Sequence, residues 1–383
     1  MVGVRLKILV NGFGISDSGG VNVLEKLLRE CVEAGEDNQF VIMLTRSHLI
    51  EALVEKYQSY DMFSFRVCKF NNYIHRLYYE NRTFRVLIAQ YGVDLVYNFT
   101  ASTQFFLDCP QLVKMHNLLC YSKKLDHCYK KDSHFILWIR QVYLKRVVFK
   151  FMLNRSKYIE IQSKHVEVCL SDYIDIKNKD VFIKSDVDVT DNAFRAPRKY
   201  DFSKKLKFLY IVGPHFNYTH KNFLDFTNGM VELAKLNVDF EISITLQKHQ
   251  LAGSKLWNDL LNSHTNFHGY VDDPKKLEAL FCDNTILIST SVIETLGLHV
   301  VEGIRNGVVT ITPNEDYAEV VYGKKRYSYE LFDVNSLYKT ITGMVKDADI
   351  ITDTIMVQQK YLRENEMSKF KNIVAVFREV LNV

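Results

Sequence analysis

At 383 residues the chain is longer than one ordinary core, which predicts two domains of roughly 150 to 200 residues each. Hydrophobic residues at 47% and charged ones at 25%, with no uninterrupted apolar span, exclude both a disordered chain and a membrane-spanning one. The formal charge is only +4, and the seven cysteines are scattered without a C-x-x-C pair, which excludes a zinc or dithiol centre and fits a reducing compartment.

Met1 runs directly into a strand at 6–10 that is too short and too charged to serve as a signal peptide, so a cytoplasmic location is expected. After this strand come Asn11-Gly12-Phe13-Gly14, then Ser18-Gly19-Gly20-Val21 and an amphipathic helix. A nicotinamide fingerprint would need glycine at 17, where this chain has Asp17. Further β-rich runs at 40–44, 65–70, 94–97, 111–115 and 158–161 alternate with helical patterns, which predicts a parallel α/β domain over 1–190. His116 and Asn117 follow the run at 111–115.

Residues 114–157 carry eleven Lys or Arg against Asp126 and Asp132. Within this stretch, 135–153 is apolar enough for a span, but Arg140, Lys145, Arg146 and Lys150 make insertion costly. Two readings stay open: one side meets anionic lipid headgroups, as a peripheral attachment, or this is a core helix whose long basic side chains snorkel to water. Nucleic acid is not expected, because the aromatics do not form a stacking array.

A polar segment around 186–205, with Pro197, reads as the linker. Its Asp186-Val187-Asp188 is a weak match to a metal-binding D-x-D motif, and it does not follow a nucleotide-binding strand. Asp272-Asp273-Pro274 reads as a helix cap. Runs at 206–212, 240–245, 285–289 and 308–312 predict a second parallel domain over 206–365, and a helical pattern over 368–381 closes the chain.

The most informative segment is Glu294-Thr295-Leu296-Gly297-Leu298-His299, followed by Glu302 and Gly307. It joins a buried strand to an amphipathic helix, which is where α/β sheets bind ligands. The backbone N–H groups of Leu296, Gly297 and Leu298, with the helix dipole, suit a diphosphate. Glu294 and Glu302 suit vicinal hydroxyls, since a carboxylate accepts two hydrogen bonds. Were the segment wholly helical they would stand about 12 Å apart, too far for a glycosidase pair.

Glu294-x7-Glu302, with Gly297 between, resembles the signature of glycosyltransferase family 4 and its retaining GT-B relatives. His220-Lys221-Asn222 resembles the family's second phosphate-binding element, and Phe267-His268-Gly269-Tyr270-Val271 its base-contacting loop. Tyr317 to Gly323, Tyr329 to Asp333 and Ser336-Leu337 continue the pattern in order. In the first half, Gly19 and Gly20 resemble the first glycine loop, and His116 the interdomain histidine beside the transferred sugar. One departure matters: Pro214 and His215 follow Gly213 where many members place an arginine.

The resemblance implies a GT-B fold of two doubly wound Rossmann-like domains facing across a cleft, with the final helix crossing back onto the first domain. It implies a retaining, metal-independent hexosyltransferase using a nucleoside-diphosphate sugar as donor substrate, with no further cofactor, and a glycan or lipid-linked acceptor. Lys221, Glu294 and His116 would be catalytic. Gly19, Gly20, His215, Lys221, Gly269, Tyr270, Val271, Glu294, Thr295, Leu296, Gly297, Leu298 and Glu302 would bind the donor, with Lys221, helped by His215, replacing the missing arginine. Low proline with abundant Lys, Asn, Ile and Tyr suggests an AT-rich bacterial gene, and by analogy a place in surface polysaccharide or lipopolysaccharide O-antigen synthesis. A sugar-nucleotide epimerase or phosphorylase of the same architecture, and a non-catalytic sugar-binding protein, are the alternatives.

Overall fold

The computed structural model describes residues 4–15, 18–35, 37–70, 72–115, 122–131, 134–187, 194–271, 273–346, 348–364 and 370–383. The chain divides into two compact units. One comprises 1–121, 139–186 and 367–383, and the other 122–138 and 187–366. Residues 122–138, inside the range expected for the first domain, thus belong to the second unit.

The first unit is built on a seven-stranded sheet: β1 (Lys7–Gly12), β2 (Gln39–Thr45), β3 (Phe63–Cys68), β4 (Leu95–Asn98), β5 (Gln111–Met115), β6 (Tyr158–Ile161) and β7 (Asp180–Ile183). Its order is β3-β2-β1-β4-β5-β6-β7, and every pairing is parallel. The central strands read as continuous apolar runs because helices cover both faces. Leu9, Val10, Ile42, Val96 and Val113 are fully buried.

The Ile373–Leu381 helix belongs to this unit, starting at the Asn372 cap. Ile373 donates its backbone N–H to the buried Glu30 carboxylate at 2.8 Å. Phe377 is fully buried and meets the Tyr97 ring edge-on at 5.1 Å. Asp186, at the end of the unit, is bound by Lys114 Nζ at 2.8 Å and Gln162 Nε2 at 2.6 Å. Its carboxylate therefore serves a buried ion pair, and Asp188 lies outside the described residues.

The second unit holds β8 (Leu206–Tyr210), β9 (Phe240–Ile244), β10 (Thr265–Phe267), β11 (Thr285–Ile288), β12 (Val309–Pro313) and β13 (Tyr327–Tyr329), in the order β10-β9-β8-β11-β12-β13 and again all parallel. Chain direction across the sheet reverses between β8 and β11. That is the topological switch point of a doubly wound sheet, outside whose carboxyl end such folds bind ligands.

The basic stretch is a short helix Phe135–Trp138, a π-helical turn Ile139–Tyr143 and a helix Leu144–Arg155. Among the described residues no helix is long and apolar enough to cross a membrane.

Candidate functional site at the second sheet's switch point

Two loops leave the switch point side by side. The one after β8 ends in a tight turn, Thr219–Lys221, with Asn222 left-handed at φ 45°. The one after β11 carries Ser289 to Gly297. Three hydrogen bonds clamp them together: Val292 N–H to the His220 carbonyl at 2.8 Å, Thr290 Oγ1 to the Lys221 carbonyl at 2.8 Å, and a 2.7 Å contact between the Tyr210 and Thr290 hydroxyls. The backbone at Lys221 is thereby fixed to the neighbouring strand.

The result is an ion pair, Lys221 Nζ to Glu294 Oε1 at 2.7 Å. Burial by itself would raise the Glu294 pKa, but the charges of Lys221 and His299 and hydrogen bonds from Lys221 and Ser291 outweigh it and hold the carboxyl down at about 2. Glu294 is thus a fixed anion and a hydrogen-bond acceptor only. Lys221 keeps further N–H groups beyond the one given to Glu294, so it can donate to a second anion at the same time.

Gly297 ends the second loop in a left-handed conformation (φ 60°, ψ 59°) and caps the Leu298–Arg305 helix. The initial N–H groups of such a helix have no intrahelical acceptor and face an anion favourably. Tyr322 backs the turn, donating to the Leu296 carbonyl at 3.2 Å, while Tyr317 donates to the Ser291 carbonyl at 2.6 Å. Thr295 and Leu298 are half-buried beside it, and Leu296 is buried.

Glu302 lies one turn into this helix. Burial raises its pKa, with Arg305 opposing. The helix begins only after Glu294, so the two glutamates are separated by a left-handed break rather than spaced along one helix.

Gly269, at φ 69° behind β10, packs a backbone hydrogen to Gln247, since a Cβ there would sit 3.0 Å from Gln247 Cγ. Tyr270 beside it is exposed and Val271 half-buried. His215 is exposed in the loop after β8, its ring stacked on Tyr218 at 4.7 Å.

The structure therefore brings Lys221, Glu294, Thr295, Leu296, Gly297, Leu298 and Glu302 together around the switch point, with His215 and Gly269 to Val271 in loops at the same carboxyl edge. Gly19 and Gly20 belong to the first unit, where they form the opening turn of the Ser18–Glu33 helix rather than a loop. Left-handed Gly14 (φ 90°) is the loop glycine there. His116 lies outside the described residues.

Sequence reasoning assigned no role in the site to three contributors. His299 lies within the quoted motif, and its Nε2 meets Ser289 Oγ at 3.0 Å. Burial, then the Lys221 charge against the pull of Glu294, brings its pKa down to about 4, and His220 is likewise held at about 4 by burial and Lys221. The third is the Lys123–Lys131 helix, whose Tyr129 hydrogen-bonds Thr219 in the Lys221 turn and whose Lys124 pairs with Glu315 after β12. Only tertiary contact could reveal that helix, because it is distant in sequence.

No protein-family model and no curated protein matches this sequence. Among solved structures, the whole chain matches the GT-B fold. Anabaena HepE, solved with UDP and glucose, aligns with a TM-score of 0.63 at 14% identity over 99% of both chains. WaaG, a glycosyltransferase of lipopolysaccharide biosynthesis, aligns at 0.64 and 11% identity over 97% of this chain and 99% of that one. A protein from Listeria monocytogenes described as a UDP-N-acetylglucosamine 2-epimerase aligns at 0.59 and 10% identity over 99% and 98%. Likeness at these identities establishes the GT-B architecture.

Proposed function

We infer that this chain is a glycosyltransferase that moves a hexosyl unit from a nucleoside-diphosphate sugar to a glycan or lipid-linked acceptor with retention. The observation that carries the reading is the Lys221–Glu294 pair at 2.7 Å, set at the switch point beside the Gly297-capped helix. A diphosphate on the helix N-terminus lies where Lys221 can neutralise the charge that grows as the glycosidic bond breaks. Glu294, held ionised, accepts hydrogen bonds from the sugar hydroxyls, and Glu302 accepts from the ribose diol. In this reading a diphosphate oxygen takes the acceptor proton, so no carboxylate need act as nucleophile, and Lys221 does the work of a divalent metal. Solved likenesses that hold UDP and glucose or serve lipopolysaccharide synthesis favour a role in surface polysaccharide assembly.

Calorimetry with nucleoside diphosphates, beside turnover of the matching sugars, tests the assignment. Glu302→Ala should weaken binding of the bare diphosphate by about 1.5 to 3 kcal/mol for each ribose bond lost. Glu294→Gln should leave that affinity intact and lower turnover, which should persist in EDTA. Equal losses of affinity in both variants would refute the division of roles, and activity restored only by manganese would refute the place given to Lys221. The epimerase likeness makes a second outcome concrete: a donor altered at the sugar with no glycoside formed.

A further inference from the structure

We propose that the first unit docks on an anionic lipid bilayer through one continuous aromatic and cationic surface built from the Leu144–Arg155 helix, Phe105, Phe106 and Arg85. The helix buries Met152 and Leu153 but turns a second apolar stripe outward. Leu144 is 52% exposed, Val147 52% and Phe151 54%, at positions three and four apart on one side. A helix apolar on both faces in water is incompletely partnered.

Phe106 extends this stripe. It is 76% exposed and sits at φ 56°, a conformation that a bulky side chain adopts only under constraint. Phe105 packs against Phe151 in a tilted arrangement, with 6.0 Å between ring centres. Arg155 lies over both rings, at 5.0 and 5.8 Å, and Arg85 covers Phe106 at 5.7 Å while donating to the Phe105 carbonyl at 3.4 Å. Sequence distance hid this assembly, since its parts come from three separate segments.

Charge selects the occupant. Residues 139–157 hold six Lys or Arg and no acid. At the end of the helix a groove of about 550 Å³ is lined by Lys150, Arg155, Lys157 and Lys179, with Asp175 as its one acid. A second copy of the chain would set cation against cation across a two-fold interface, which is repulsive. A bilayer of anionic lipid supplies both an apolar layer for the rings and phosphates for the cations. Aromatic side chains at headgroup depth, ringed by Arg and Lys, are the usual form of such contacts.

The proposal is independent of the glycosyl-transfer reading, and its test uses no substrate. The full chain is sedimented with vesicles of phosphatidylglycerol and phosphatidylcholine in equal parts, and with phosphatidylcholine alone, at low and high salt. Binding to the anionic vesicles, weakened by salt, is expected. Phe106→Ser with Phe151→Ser should cut partitioning by about tenfold or more, because both rings lose their burial in the bilayer. Lys145→Gln with Lys150→Gln should weaken it at low salt only, and Leu236→Ser, exposed on the second unit, should leave it unchanged. Circular dichroism checks folding; should the Phe pair fail to fold, the Lys pair decides. Absence of the wild type from the anionic pellet, equal binding to neutral vesicles, or variants that bind like wild type would each overturn the proposal. So would a stable dimer dissolved by the Phe pair, which would make a second copy the occupant.

Discussion

A methyl group at position 297 would lie 1.9 Å from the Tyr322 hydroxyl, in a backbone already left-handed at φ 60°. Gly297→Ala should therefore destabilise the second unit by at least about 2 kcal/mol, from left-handed strain plus the clash. Removing the obstacle separates the two terms. Tyr322→Phe alone should cost about 1 kcal/mol for its lost bond to the Leu296 carbonyl, and the double variant should cost less than the sum. Urea denaturation of the three variants checks this, and strict additivity would contradict it. Titration at the same site has a fixed sign. The unfolded chain protonates His220 and His299 near 6.5, whereas the folded chain does so only near 4 because burial disfavours their charged forms. Stability should thus fall as pH drops from 6.5 to 4, by up to about 1.4 kcal/mol per pH unit for each histidine. Glu294 acts lower: its folded pKa of about 2 against 4.5 gives a contribution present above 4.5 and lost as pH falls toward 2. His299→Gln should flatten the slope between 6.5 and 4 in pH-dependent urea melts. At this scale the sequence showed Lys221, Glu294 and Gly297 in their motifs, but not Tyr322 as the wall behind Gly297, because that contact depends on how the intervening β12 and the helix after it fold back.

Strands with long apolar runs were legible one by one. All ten runs read from the sequence coincide with strands, while β7, β10 and β13 were not read. Each of these three has only three or four residues and lies at a sheet edge, where one side is unpaired and the apolar signal is weakest. The closing helix was legible as a helix through Phe370, Ile373, Val374, Phe377 and Leu381, whose apolar stripe needs a core to bury it. That core is the first unit's, through Phe377 against Tyr97 and Ile373 bound to Glu30. Phe377→Ala should cost about 3 to 5 kcal/mol, since a fully buried ring leaves a cavity. The loss should fall on the first unit: hydrogen exchange at β1 and β4 should accelerate while β8 and β11 stay protected. Equal acceleration in both sheets would show that the helix stabilises the chain by another route.

At the scale of the whole chain, alternation of short apolar runs with helices was enough to give two parallel sheets, because parallel neighbours need a long crossover connection, which is usually a helix. Which unit each segment joins was less legible. Residues 122–138 leave the first sheet to place Tyr129 against Thr219 and Lys124 against Glu315, and no local period encodes such an excursion. The GT-B architecture then narrows the chemistry without choosing it, since a transferase and an epimerase share it. What chooses is the fate of the sugar. Proton NMR of the wild-type chain with a nucleoside-diphosphate hexose and a glycan acceptor should show a new glycoside of the donor's anomeric configuration, with one nucleoside diphosphate released per glycoside formed. An epimerised sugar with no glycoside, or a glycoside of inverted configuration, would contradict the account.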